Sequence, residues 1–131
     1  MTTKGNLELR IGTETLCSSA DSDGYKVYKA IGKLATFLNN NHNPSPQEYK
    51  DWFKQTSEEL SFVEYEGGRL GGVPCEVVID TSRKLILYNA NNEDEDNTIK
   101  TSTVRRLAGR HKYQFFRYRK LVNLKENPYL L

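Results

Sequence analysis

"RRLAGRHKYQFFRYRK", residues 105–120, holds seven Arg or Lys, one His, four aromatic residues and no acid. Whether this stretch is helix or strand decides the architecture of the C-terminal part of the chain. Wound as a helix, it puts Val104, Leu107, Ala108, His111, Phe115, Tyr118 and Val122 on one face. Arg106, Arg110, Arg117 and Lys120 then cluster on another. Laid out as a strand, residues 113–121 give no clean alternation. A helix is therefore the expectation. Gly109 interrupts it, and Arg105 and Arg106 would sit in its first turn, where the macrodipole disfavours cations, so its start moves beyond Gly109.

The charge of this stretch stands out against the rest of the chain. Residues 101–125 carry eight basic groups and no acid, a balance of +8. The remaining residues carry 11 basic and 17 acidic groups, a balance of −6, so the overall +2 conceals an asymmetry. An acidic run, Glu93-Asp94-Glu95-Asp96, lies just upstream in a loop expected over residues 89–97. Such blocks are solvated loops or interaction surfaces.

Working toward the N-terminus, KLILYNA after the turn DTSR, VPCEVVI (73–79) and SFVEYE (61–66) read as three short strands. Tight connections between them suggest an antiparallel meander, with Pro74 at an edge or a strand start. Glycines 67, 68, 71 and 72 mark a turn. They lack the Gly-Lys-Ser/Thr ending of a phosphate-binding loop. SPQEYKDWF is the clearest local signal: Ser45 at the N-cap, Pro46 at the first helical position and Glu48 at the third form a capping box, predicting a helix over 46–59. A second helix is expected over 22–39, capped by Ser22, with Val27, Ile31, Leu34 and Leu38 on one face and Lys26, Lys29 and Lys33 on another. Gly32 inside it costs about 1 kcal/mol against Ala. NLELRIG (6–12) alternates as a strand, and TETLCSSADSDG reads as a polar loop.

The fold class expected is α+β in a single domain, 1–131: two N-terminal helices packed on a small antiparallel sheet, with a basic, helical C-terminal element in 101–125. The expected core is Ile31, Leu34, Trp52, Phe53, Val77, Ile79, Leu85 and Leu87. No run approaches the ~18 apolar residues of a membrane span. MTTKGNLELR lacks the apolar core of a secretory signal. Cys17 and Cys75 lie far apart without a CxxC, so a reduced, intracellular and cytoplasmic setting is expected.

Catalytic constellations are thin. His42 falls in the loop between the helices and His111 in the basic segment. Two Cys and two His at 17, 42, 75 and 111 show no zinc-ligand spacing, and no metal, cofactor or catalytic residue is assigned. A metal-dependent nuclease would draw on Glu76, Asp80 and Lys84, at spacings that an ordinary strand and turn also give. The leading expectation is a non-enzymatic nucleic-acid-binding protein. Arg105, Arg106, Arg110, Lys112, Arg117, Arg119 and Lys120 would neutralise phosphates of RNA or DNA, and Tyr113 and Phe116 would stack on bases. The competing class is a protein-binding regulator or inhibitor whose basic patch docks on an acidic partner.

Overall fold

The computed structural model describes residues 3–66, 74–89, 105–106, 113–118 and 121. Two strands come first, β1 (Gly5–Ile11) and β2 (Glu14–Ala20). A 3₁₀ turn, Gly24–Tyr28, leads into α1 (Lys29–Asn40), followed by α2 (Pro46–Glu59). Then come β3 (Val63–Tyr65), β4 (Cys75–Asp80), β5 (Leu85–Asn89), β6 (Arg105–Arg106) and β7 (Tyr113–Arg117). They form one sheet in the order β3-β2-β1-β4-β5-β7-β6. The molecule is α+β, but the helices follow a strand pair instead of leading the chain.

β1 keeps the alternation of its sequence. Leu7, Leu9 and Ile11 are buried in the core, and Asn6, Glu8 and Arg10 take the other face. The stretch expected as a polar loop is instead β2, paired antiparallel with β1 across the two-residue turn Gly12-Thr13. Gly12 there has φ 58°, a left-handed conformation that glycine adopts without strain. The small polar residues of β2 suit its place under α2: Ser18 is fully buried, with its Oγ 2.8 Å from Ser57 Oγ.

The helix expected over 22–39 starts later. Ser22 does not cap it, and Asp23 has φ 56° with no side-chain cap. Gly24 lies backbone to backbone against Gly5, and its N–H donates to Thr3 O at 2.8 Å. This pinning coincides with a tight 3₁₀ turn, and regular α-helix begins at Lys29. The anticipated face holds: Val27, Ile31 and Leu34 are fully buried and Leu38 is half-buried. α2 spans the predicted residues with both halves of the capping box formed. Such a cap contributes about 1 kcal/mol. Tyr49, Trp52 and Phe53 are buried beneath it, and Phe37 of α1 stacks on Trp52 with ring centroids 5.8 Å apart.

The sheet is mixed, not an antiparallel meander. β3 pairs with β2 at the far edge, whereas β4 runs parallel to β1. The chain reaches this arrangement by crossing both helices. β4 accordingly lies in the middle, buried on both faces, with Val77, Val78 and Ile79 fully buried, as the unbroken apolar run VVI suits. Pro74 directly precedes the strand, where its missing N–H costs no ladder bond. Register corrects the expected core in β5. Val77 faces Tyr88 and Ile79 faces Ile86, so Ile86 and Tyr88 join the core while Leu85 and Leu87 are half-buried on the opposite face.

The basic segment is corrected in part: residues 105–106 and 113–117 form strands, and Tyr118, which follows directly, is helical. β7 pairs antiparallel with β5, and β6 with β7. An existing edge, β5, gives the backbone of 113–117 a ladder of hydrogen-bonding partners that outweighs its weak alternation.

Candidate nucleic-acid interface

The site starts from the β5–β7 register. Leu85 lies opposite Arg117, Leu87 opposite Phe115 and Asn89 opposite Tyr113. Tyr113, Phe115 and Arg117 therefore hold positions on the face away from α1 and α2, and β6 adds Arg105 opposite Phe115. Phe116 lies opposite Ile86, a position on the helix-covered face, and Arg106 lies opposite Gln114. The two residues expected to stack on bases, Tyr113 and Phe116, thus hold register positions on opposite faces of the sheet. Arg110, Lys112, Arg119 and Lys120 lie outside the described residues, as do His111, Lys125 and residues 90–97 of the acidic loop. Asn89, expected to open that loop, is instead the last residue of β5. It is buried, accepting from Tyr28 Oη at 2.7 Å and from the Glu76 N–H at 3.1 Å.

The structure adds two cations that the sequence left apart. Arg83 and Lys84 occupy the β4–β5 turn, and the Tyr118 N–H donates to Lys84 O at 3.0 Å, tying the end of β7 to that turn. Arg83, Lys84 and Arg117 are all exposed. Arg83 Nε lies 3.9 Å from Asp80 Oδ2, a loose pair at an exposed position. Among the described residues Lys84 and Arg117 make no ion pair.

Carboxylates gather elsewhere on the same sheet. Asn6 Nδ2 donates to Glu76 Oε2 at 2.9 Å, and Tyr65 Oη donates to Asn6 Oδ1. Glu8 is buried with Oε2 2.6 Å from Arg10 Nε, while its Oε1 has no hydrogen-bond partner among the described residues. Burial and then the neighbouring Glu8 carboxylate push the Cys17 thiol up. On the face away from the helices β1 and β4 thus carry Glu8 and Glu76 beside Arg10, and Arg117 ends β7. Glu76 and Asp80, the carboxylates of the nuclease alternative, are held by Asn6 and by the Arg83 N–H at 3.1 Å. Among the described residues no three His, Cys, Asp or Glu side chains converge as metal ligands.

Compared with protein-family models, curated proteins and solved structures, the chain shows no match. Its function must be argued from its own residues. No helix among the described residues is long and apolar enough to cross a membrane.

The tyrosines of this framework give a pH prediction. Tyr65 is pushed up to about 12, first by burial and then by Cys17, Glu76 and Glu8. Burial raises Tyr88, and burial with the Tyr49 hydroxyl at 3.3 Å raises Tyr118. An unfolded tyrosine ionises near 10.0. Above that value the unfolded chain releases protons that the folded chain retains. Stability is therefore intact below about pH 10 and falls as pH rises through the folded values. In an alkaline titration, a step of tyrosinate absorbance should coincide with loss of near-ultraviolet circular dichroism. Complete tyrosine ionisation near pH 10 with the dichroism unchanged would contradict the burial described.

Proposed function

We propose that the protein binds nucleic acid, with the β7–β6 edge and its flanking cations on the phosphates and Tyr113 stacking on a base. The observation that carries this reading is the place of Arg117, from the acid-free basic segment, opposite Leu85 at the end of the Arg83–Lys84 turn. Lys and Arg in such a cluster displace counterions from a phosphate backbone. Sheet edges often carry one or two cations that prevent strand addition. Eight cations in 25 residues without an acid exceed that need. The carboxylates of β1 and β4 favour placing a polyanion over the β5–β7–β6 side. Tyr113 and Phe115 hold alternate register positions with Arg117 along β7, a spacing that suits aromatic stacking beside a charge.

The test is a binding titration of wild type and the Arg105→Glu/Arg117→Glu variant against labelled single-stranded and duplex RNA and DNA. The variant should bind more weakly, with a log affinity against log salt slope shallower by about 2 or more. Equal affinity and slope in a folded variant would remove the edge from the interface.

A further inference from the structure

A cavity of about 610 Å³ opens at the end of the sheet where the β1–β2 turn, the α1–α2 loop and the β4–β5 turn meet. Its apolar wall includes Leu38, Pro44 and the rings of Tyr49 and Tyr118. Its polar side includes His42, Ser82 and Lys84. The described lining contains one fixed cation, one imidazole, several hydroxyl and amide groups and no carboxylate. The acid nearest in sequence to the β4–β5 part of the wall, Asp80, accepts from the Arg83 N–H and faces the Arg83 guanidinium. The volume suits a ligand of nucleotide size. A neutral apolar ligand would leave Lys84 and Ser82 without a role, and inorganic phosphate would leave most of the apolar wall uncovered.

We infer that this cavity binds a nucleoside monophosphate, its phosphate at Lys84, Ser82 and His42 and its base against Leu38, Pro44 and the tyrosine rings. The site shares Lys84 with the interface proposed above but requires no strand along the β7–β6 edge, so monophosphate binding is tested apart from it. The same chemistry is presented by a free nucleotide and by the 5′-phosphorylated end of a strand.

Two substitutions probe the pocket while sparing the fold. Lys84 has φ 55°, a left-handed conformation that glycine accepts readily, so Lys84→Gly removes the ammonium without backbone strain. Ser82 is exposed, and Ser82→Glu places a carboxylate at the rim. Calorimetric titration would use adenosine monophosphate, adenosine and inorganic phosphate in turn. Saturable binding of the monophosphate, tighter than either fragment, is expected. Each variant should weaken it at least about tenfold, the effect of losing or opposing a charge-assisted hydrogen bond. Arg105→Glu/Arg117→Glu should leave it unchanged even where it abolishes strand binding.

A short oligonucleotide bearing a 5′-phosphate, set against its 5′-hydroxyl counterpart, assigns the source. Competition by the phosphorylated form alone points to strand ends, and competition by neither points to the free nucleotide. The inference is overturned if the monophosphate does not bind, if adenosine or phosphate alone binds as tightly, or if both pocket variants retain wild-type affinity.

Discussion

Replacing Gly24 with Ala should destabilise the protein by at least about 3 kcal/mol, the upper range for overpacking, because the obstacle is backbone and cannot rotate away. A Cβ on Gly24 would fall on the Gly5 nitrogen and 2.5 Å from Lys4 O. The contact is reciprocal, since a Cβ on Gly5 would lie 2.5 Å from both Gly24 Cα and O. Relief would require the 3₁₀ turn to lift from β1. That would break the Gly24 N–H bond to Thr3 O and disturb the Cys75 N–H bond to Lys4 O at 3.3 Å, where β4 begins to pair with β1. Gly5→Ala should act alike. Gly12→Ala is the control. A Cβ there meets nothing within 4 Å, and only its left-handed φ of 58° is strained, at a cost of about 1 kcal/mol. Urea unfolding of the three variants should rank Gly24 and Gly5 well below Gly12. Equal midpoints would mean that the 3₁₀ turn is not pinned on β1.

Phe53→Ala should cost about 3–5 kcal/mol, the range for truncating a buried aromatic side chain. Phe53 is fully buried on the inner face of α2, in the cluster that includes Leu7, Leu9, Val77 and Ile79 of the sheet. The loss joins a transfer cost to a cavity that surrounding strands cannot collapse to fill. Val63→Ala in β3 is the comparison, because Val63 is 73% exposed and should change stability by less than about 0.5 kcal/mol. Thermal unfolding would show both. A small effect at Phe53 would contradict the packing of α2 on the sheet.

Local signals carried α2. Ser45, Pro46 and Glu48 act within one turn, and nothing distant alters what they specify. The apolar faces of α1 and β1 were legible for the same reason. Pairing was not. ETLCSSA looks like a loop because its residues are small and polar, but hairpin closure on β1 and the Ser57 hydroxyl give those groups partners. Leu85, Ile86, Leu87 and Tyr88 run without a polar break, so the phase of this strand is set only by Val77 and Ile79 across the ladder.

The same limit governs the candidate interface. Its charge is plain in residues 101–125, but helical and extended readings distribute that charge differently. Extended pairing with β5 puts Arg117 opposite Leu85 and the Tyr118 N–H on Lys84 O, joining residues far apart in sequence. It also puts Phe115 and Phe116 at register positions on opposite faces of the sheet. Neither result follows from periodicity, because the stretch has none that a strand would require. The pocket was hidden for a related reason: its wall is assembled from three turns, and His42, Ser82 and Lys84 share no local pattern.

The most direct measurement of the central claim is the affinity of the wild-type protein for labelled single-stranded and duplex RNA and DNA across a salt series. The account predicts saturable binding to at least one of these that weakens linearly on a log–log scale, with a slope of several phosphate contacts. A folded protein that binds none of them even at the lowest salt would contradict it.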